Sequence, residues 1–242
     1  MVRSQRMQFI PVRTRTMNPP QDDLFEVLDE FLPVIQEGDV VLISSKVVAI
    51  HEGRCVSAAA FDKEKHVEEE AELVIPRSYW PSPLTFTNHM LVGSAGVDQS
   101  NSNGYYTLLP KEPFVSAEYI HTYLRQRFGL NEAGVVITDS HSVLARYGAV
   151  GGAIAWWGFS PLLDHRGKKD LFGRAIQYER SNLVDGLAAG ATVVMGEVAE
   201  STPVVIAREV PNLKFVSGNT KNELFVSFRE DTLRVLYERF LS

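Results

Sequence analysis

Several stretches of this chain carry oxygen-bearing side chains just past apolar segments, in a pattern that suits a hard divalent cation. The first is Gly93-Ser-Ala-Gly-Val-Asp98-Gln-Ser-Asn101, where two glycines permit tight backbone before Asp98, Ser100 and Asn101 present oxygens and an amide. In the second, Gly134-Val-Val-Ile-Thr-Asp139-Ser140-His141-Ser142, an apolar strand delivers a carboxylate and a hydroxyl at its end. The third is Met195-Gly196-Glu197, after a long helical pattern. The fourth is a charged loop interleaved with glycines, Asp164-His-Arg166-Gly-Lys-Lys-Asp170-Leu-Phe-Gly173-Arg174. Mg²⁺ typically keeps waters and takes one or two carboxylates together with phosphate oxygens. Asp98, Asp139, Ser140 and Glu197 therefore form the candidate metal set. For each Asp the competing reading is a turn or a helix cap.

A partner for such an ion is suggested by Gly38-Asp-Val-Val-Leu-Ile-Ser44-Ser45-Lys46. There an apolar strand ends in hydroxyls and a lysine, which suits a phosphate; a surface lysine at a strand end is the competing reading. Zinc fits poorly, because the histidines show no H-x-x-x-H or H-E-x-x-H spacing and the chain has one cysteine, Cys55. Cys55 has no basic motif beside it and reads as packed rather than nucleophilic. No G-x-G-x-x-G follows a strand and no G-x-x-x-x-G-K-[ST] occurs, so a nucleotide would bind outside the Rossmann and Walker patterns.

These groups need elements to hold them. Leu24, Val27, Leu28, Phe31 and Leu32 fall on one helical face, begun by Asp22-Asp23, and Leu233 to Leu241 repeats that spacing. Ser116 is the expected cap of a helix ended by Gly129. Leu183 to Met195 forms another helix, ended by Gly196. Strands are expected at Val40–Ile43, Met90–Ser94, Val135–Thr138, Ala153–Trp156, Pro203–Ala207 and Leu224–Ser227. Ser78 to Asn88, with Pro81 and Pro83, reads as a rigid loop. Hairpin spacings mixed with helical crossovers make α+β the expected class rather than a regular βαβ series.

Composition narrows the partners. The 242 residues carry 24 Lys and Arg against 30 Asp and Glu, a net charge of −6. That argues against a general nucleic-acid binder and against docking on anionic membranes. No apolar run is long enough to span a bilayer, and no apolar segment follows Met-Val-Arg-Ser-Gln-Arg-Met as in a signal peptide. A cytoplasmic protein acting on small molecules is the expectation.

The order of these segments resembles the coenzyme F420-0:γ-glutamyl ligase family. Gly38-Asp39-Val40 through Ser45-Lys46 and Glu52-Gly53-Arg54 resemble its first motif. Ala95-Gly-Val-Asp98-Gln-Ser-Asn101, then Leu108-Leu-Pro110-Lys-Glu-Pro113 and Ser116-Ala117, resemble its second. Val136-Ile-Thr-Asp139-Ser140 with Arg146 and Gly148 resembles the third. Ala153-Ile154, Asp164-His-Arg166-Gly, Asp170, Gly173-Arg174, Asp185, Met195-Gly196-Glu197 and Pro203-Val-Val-Ile complete it. The resemblance runs over residues 22–210. It implies one catalytic unit of two lobes with a mixed-sheet α+β fold, pairing as a homodimer. Residues 211–242 lie beyond it and read as an extra strand and helix.

By the same resemblance, the chemistry is addition of L-glutamate to a deazaflavin precursor, with GTP (or ATP) and two Mg²⁺ or Mn²⁺ ions. Asp98 and Asp139 would hold one ion, and Ser140, where the family usually has Thr, would hold the other with Glu197. Ser45, Lys46 and Asn101 would meet the nucleotide, helped by Arg13, Thr14, Arg15 and Thr16 and by the loop containing Met195, Gly196 and Thr202. An acyl phosphate would form and the amine of glutamate would attack it. Arg146, Arg166 and Arg174 are the candidates for anionic substrate groups, and His141 is a candidate base or a local hydrogen-bonding group. The sequence departs from the family at Ile50, a usual lysine, at Val143, a usual arginine, and at Glu179, a usual threonine. Fewer cations would suit a phosphodiester-bearing acceptor poorly. Two other readings therefore stand beside the first: the same chemistry on another carboxylate, folate-like or peptide, and a binding protein that keeps the scaffold without turnover.

Overall fold

A computed structural model describes residues 6–241. Residues 1–5, on which the reading of the N-terminus partly rests, lie outside the described part. In chain order the elements are β1 (Gln8–Val12), α1 (Leu24–Phe31), β2 (Val40–Ser44), α2 (Ser45–His51), β3 (Cys55–Ser57), α3 (Lys63–Glu70), β4 (Leu73–Ile75), β5 (Leu84–Thr87) and β6 (Met90–Gly93). There follow β7 (Tyr105–Thr107), α4 (Pro113–Phe128), β8 (Gly134–Ser142), β9 (Ala149–Trp157), β10 (Leu162–Asp164), β11 (Arg180–Asn182), α5 (Leu183–Met195), β12 (Val204–Arg208) and α6 (Lys221–Leu224).

The largest sheet runs β1-β12-β2-β8-β9. Only β2 and β8 are parallel, with Val40 opposite Gly134 and Ser44 opposite Thr138; the other pairings are antiparallel. Both faces of this sheet are covered, which is why its strands read as continuous apolar runs. Val41, Ile43, Val135, Ile137, Val204 and Ile206 face one core with Leu24, Val27, Leu28, Ile120 and Leu124 from α1 and α4. The alternate residues Val40, Leu42, Val136, Val205 and Ala207 face a second core with Val184, Leu187, Ala188 and Ala191 from α5. Gly151 lets α5 approach closely: a Cβ there would stand 2.5 Å from the Ala188 carbonyl oxygen. Smaller sheets, β4-β5-β6, β3-β7 and β10-β11, complete an α+β fold with no closed barrel among the described residues.

The helices begin and end for local reasons. Asp23 caps α1 by accepting from the Phe25 N–H, and Asn182 caps α5 by accepting from Asp185. Pro113 opens α4 and Gly129, at φ 66°, closes it. Ser116 is not the cap: it sits inside α4 and its hydroxyl donates to Glu52 at 2.6 Å. The expected loop over 78–88 holds strand β5 in its second half.

The C-terminal expectations fail in kind. Leu224–Ser227 is no strand; the short α6 ends there, and Phe225 turns inward against Trp156, 5.2 Å between ring centroids, and against His89 at 4.2 Å. Residues 233–241 form two single 3-10 turns, Arg234–Leu236 and Glu238–Phe240, rather than an α-helix. An i, i+3 apolar repeat fits a 3-10 turn as well as an α-turn. Here only Tyr237 is buried, while Leu233 and Leu236 are exposed. No described helix is long and apolar enough to cross a membrane.

Candidate active site

Strand direction alone brings distant segments to one edge of the large sheet. β2 and β8 are parallel, so their carboxyl ends, Ser44 and Asp139-Ser140, emerge together. β12 runs antiparallel to β2, so Thr202-Pro203 enters at that same edge, and the Ser44 N–H donates to the Pro203 carbonyl at 2.9 Å. β1 runs antiparallel to β12, so the chain after Val12 leaves there too, and the Thr14 N–H donates to the Ser201 carbonyl at 2.9 Å. Carboxyl ends of parallel strands are where α/β sheets commonly hold ligands. A register shift between Ile137 and Thr138 falls just before Asp139; such bulges re-aim side chains beside sites.

The result is a cleft of about 330 Å³. Asp98, Asp139, Ser140 and Glu197 all line it, with Lys46, Asn101, Thr14, Arg15, Thr16, Met195, Gly196 and Thr202. Asp98 reaches it from the loop after β6, where the Asp98 N–H and carbonyl bond to Thr107 of β7. The Asn101 amide donates to the Val198 carbonyl at 2.6 Å and the Thr202 hydroxyl to the Met195 carbonyl at 2.5 Å, which fixes the loop after α5. Gly196 stands at φ 76°, where a Cβ would meet the Glu200 carboxyl at 2.2 Å. The Ser140 hydroxyl lies 3.3 Å from Glu197.

Asp139 and Asp98 are electrostatically different. Burial pushes the Asp139 carboxyl up to about 6, against smaller opposing effects of the Ser45 hydroxyl, the Ser140 N–H and Lys46. Among the described residues no Lys or Arg forms an ion pair with it. Burial also raises the Asp98 carboxyl, but Lys46 and the Ser100 hydroxyl and N–H outweigh it, and it sits below its ordinary value. Among the described residues no three His, Cys, Asp or Glu side chains close on a single point. The donors are hard oxygens spread in pairs along one wall, and one of them is a half-buried carboxylate that no Lys or Arg pairs with directly among the described residues. That set fits ions whose remaining ligands are waters and phosphate oxygens.

Other candidates fall elsewhere. Ser45 is buried and its hydroxyl donates to Asp139 at 3.0 Å, so it stands behind that carboxylate. Arg13 is exposed and outside the cleft lining, whereas Arg15 lines it and is held bidentate by Asp22 at 2.6 and 2.9 Å. His141 is not in the lining; its Nδ1 faces the Ser142 carbonyl at 3.2 Å and its ring lies beside Gly152. Arg146 is exposed in the turn between β8 and β9. Arg166 and Arg174 lie on the loop between β10 and β11, also outside the cleft, and Arg166 is paired with Asp164 at 2.5 Å. Asp22 and Glu200, which fix Arg15 and the loop after α5, carry no motif that marks them in sequence.

Residues 11–209 match the family described as F420-0:Gamma-glutamyl ligase. The chain is 34% identical to the coenzyme F420:L-glutamate ligase of Methanopyrus kandleri, over 89% of this chain and 92% of that one. It is 33% identical to the coenzyme F420:L-glutamate ligase of Methanothermobacter thermautotrophicus, over 78% and 81%. With the enzyme of the same name from Archaeoglobus fulgidus it shares 28% over 98% and 100%.

Proposed function

The chain belongs to the F420-0:γ-glutamyl ligase family, and from that premise we propose that it joins L-glutamate to the carboxylate of coenzyme F420-0, driven by GTP (or ATP) with Mg²⁺ or Mn²⁺. The observation that carries this reading is the meeting of Asp98, Asp139, Ser140 and Glu197 with Lys46 in one cleft. Asp98 and Asp139 would hold one ion, Ser140 and Glu197 the other. When bound, the ions supply neutralisation of phosphate charge and a template for in-line transfer.

The chain's own residues then do the positioning. Lys46 supplies a point charge for a phosphate. Arg15, fixed by Asp22, lines the same cleft and adds positive charge to it. The loop holding Met195, Gly196 and Thr202 closes one side, anchored by Asn101 and Glu200. The acceptor carboxylate attacks the γ-phosphorus, the nucleoside diphosphate leaves, and the glutamate amine displaces phosphate from the acyl phosphate. Most of the rate comes from alignment and charge stabilisation.

We extend the proposal to the setting: a cytoplasmic homodimer of two-lobed subunits, with small-molecule partners and neither nucleic acid nor membrane. A second acceptor is favoured by one residue. Ile50 lines the cleft where the resemblance leads one to expect lysine, so another carboxylate with less negative charge would fit there. The test incubates the protein with GTP, Mn²⁺, glutamate and F420-0, and reads release of guanosine diphosphate and product mass. A gain of one glutamyl residue on F420-0 is expected. Release of guanosine diphosphate only with a different acceptor selects the second reading, and neither product with any acceptor refutes both.

A further inference from the structure

The contacts of Lys46 point beyond phosphate binding. Its ammonium donates to Asp98 Oδ2 at 2.5 Å, to the Ser100 carbonyl at 2.6 Å and to the Ser100 hydroxyl at 2.9 Å. The other face of Asp98 is also engaged: the Ser100 N–H donates to Oδ1 at 2.8 Å, and the Ser100 hydroxyl to Oδ2 at 2.5 Å. All three hydrogens of the ammonium thus have partners, and both oxygens of Asp98 accept hydrogen bonds. A cation approaching Asp98 meets a positive charge already seated there. Asp139, by contrast, accepts only from small neutral donors.

We propose that Lys46 is a gate on the metal site: without nucleotide it occupies Asp98 and opposes an ion there, and a triphosphate draws the ammonium away and frees the carboxylate. The idea rests on the metal reading of the cleft. It gives Lys46 a positioning role that a simple phosphate contact lacks. Two strong charge-assisted hydrogen bonds cannot both be kept by one ammonium that has turned to a phosphate. The nucleotide and the ion at Asp98 therefore bind with positive coupling, and by linkage the coupling is reciprocal.

The test is Mn²⁺ binding to the full chain without nucleotide, followed by electron paramagnetic resonance of the free ion. Lys46→Met is expected to bind Mn²⁺ about tenfold more tightly than the parent, the scale of one lost charge-assisted hydrogen bond. Ser100→Ala, which removes one tether of the ammonium and one cap on Oδ2, is expected to shift affinity the same way by about threefold. The gain in Lys46→Met must vanish when Asp98→Asn is added. A gain that survives in that double variant reflects the general field of a removed charge and overturns the gate. Equal or weaker binding by both single variants overturns it as well. The underlying metal reading fails on a different signal: Asp98→Asn and Asp139→Asn both leaving Mn²⁺ binding unchanged when a non-hydrolysable GTP analogue is present.

Discussion

Asp139→Asn is expected to stabilise the protein in the absence of metal while weakening its response to metal. Burial holds the Asp139 carboxyl at about 6 rather than 3.8. Ionising it inside the fold therefore costs about 3 kcal/mol more than in the unfolded chain. Solvent in the cleft screens part of this, leaving about 2 kcal/mol. The folded-state value is raised, so the group opposes folding once it ionises and is neutral to it while protonated in both states. Its penalty is absent below about pH 3.8, grows through the interval up to about 6, and is constant above it. Asparagine keeps an acceptor for the Ser45 hydroxyl and carries no charge. In EDTA at pH 8 its Tm should exceed the parent's by about 4–8 °C, and the difference should shrink toward nothing as the pH is lowered to 4. Mn²⁺ should raise the Tm of the parent by more than that of the variant, which keeps Ser140 and Glu197 but lacks the Asp139 carboxylate. A variant less stable than the parent in EDTA at pH 8, or a difference that does not change with pH, would refute the reasoning.

Further outcomes follow from other parts of the fold. Arg208 pairs bidentately with the buried Asp39, 2.6 Å at the closest contact, and joins β12 to the start of β2; Arg208→Ala leaves that carboxylate unpaired and should cost about 3–5 kcal/mol in urea unfolding. Gly151→Ala pushes a methyl group into the backbone of α5 and should cost about 2 kcal/mol by the same measurement, with loss of turnover because α5 carries the loop to Glu197. Ending the chain after Glu209 uncovers Trp156, which also loses the Thr220 hydroxyl that its Nε1–H donates to at 2.8 Å; the shortened protein should bind a hydrophobic dye at 25 °C, and the full chain should not.

How far the sequence discloses this molecule depends on how local each signal is. α1, α4 and α5 are legible because an apolar stripe and a cap or terminal glycine coincide within a few residues. The buried strands β2, β8 and β12 are legible as apolar runs. β1 is not, because Pro11 interrupts Gln8–Val12 and its position at the sheet edge asks little of its pattern. The first half of β9 hides behind Gly151-Gly152, which make room for α5 and Met90, both distant in sequence, and for His141 on the neighbouring strand. The C-terminal segment misleads because aromatic docking, not periodicity, decides its path. In the cleft, each carboxylate is visible as the polar end of an apolar run. What remains invisible is pairing: Arg15 with Asp22, Ser45 behind Asp139, and Lys46 on Asp98 are set by strand order and loop path.

The most direct measurement is diffraction at the manganese absorption edge from crystals grown with Mn²⁺ and a non-hydrolysable GTP analogue. Anomalous peaks are expected within about 2.5 Å of side-chain oxygens of Asp98 and Asp139 and of Ser140 and Glu197. A bound nucleotide with the manganese peaks away from these four side chains would contradict the assignment of the cleft.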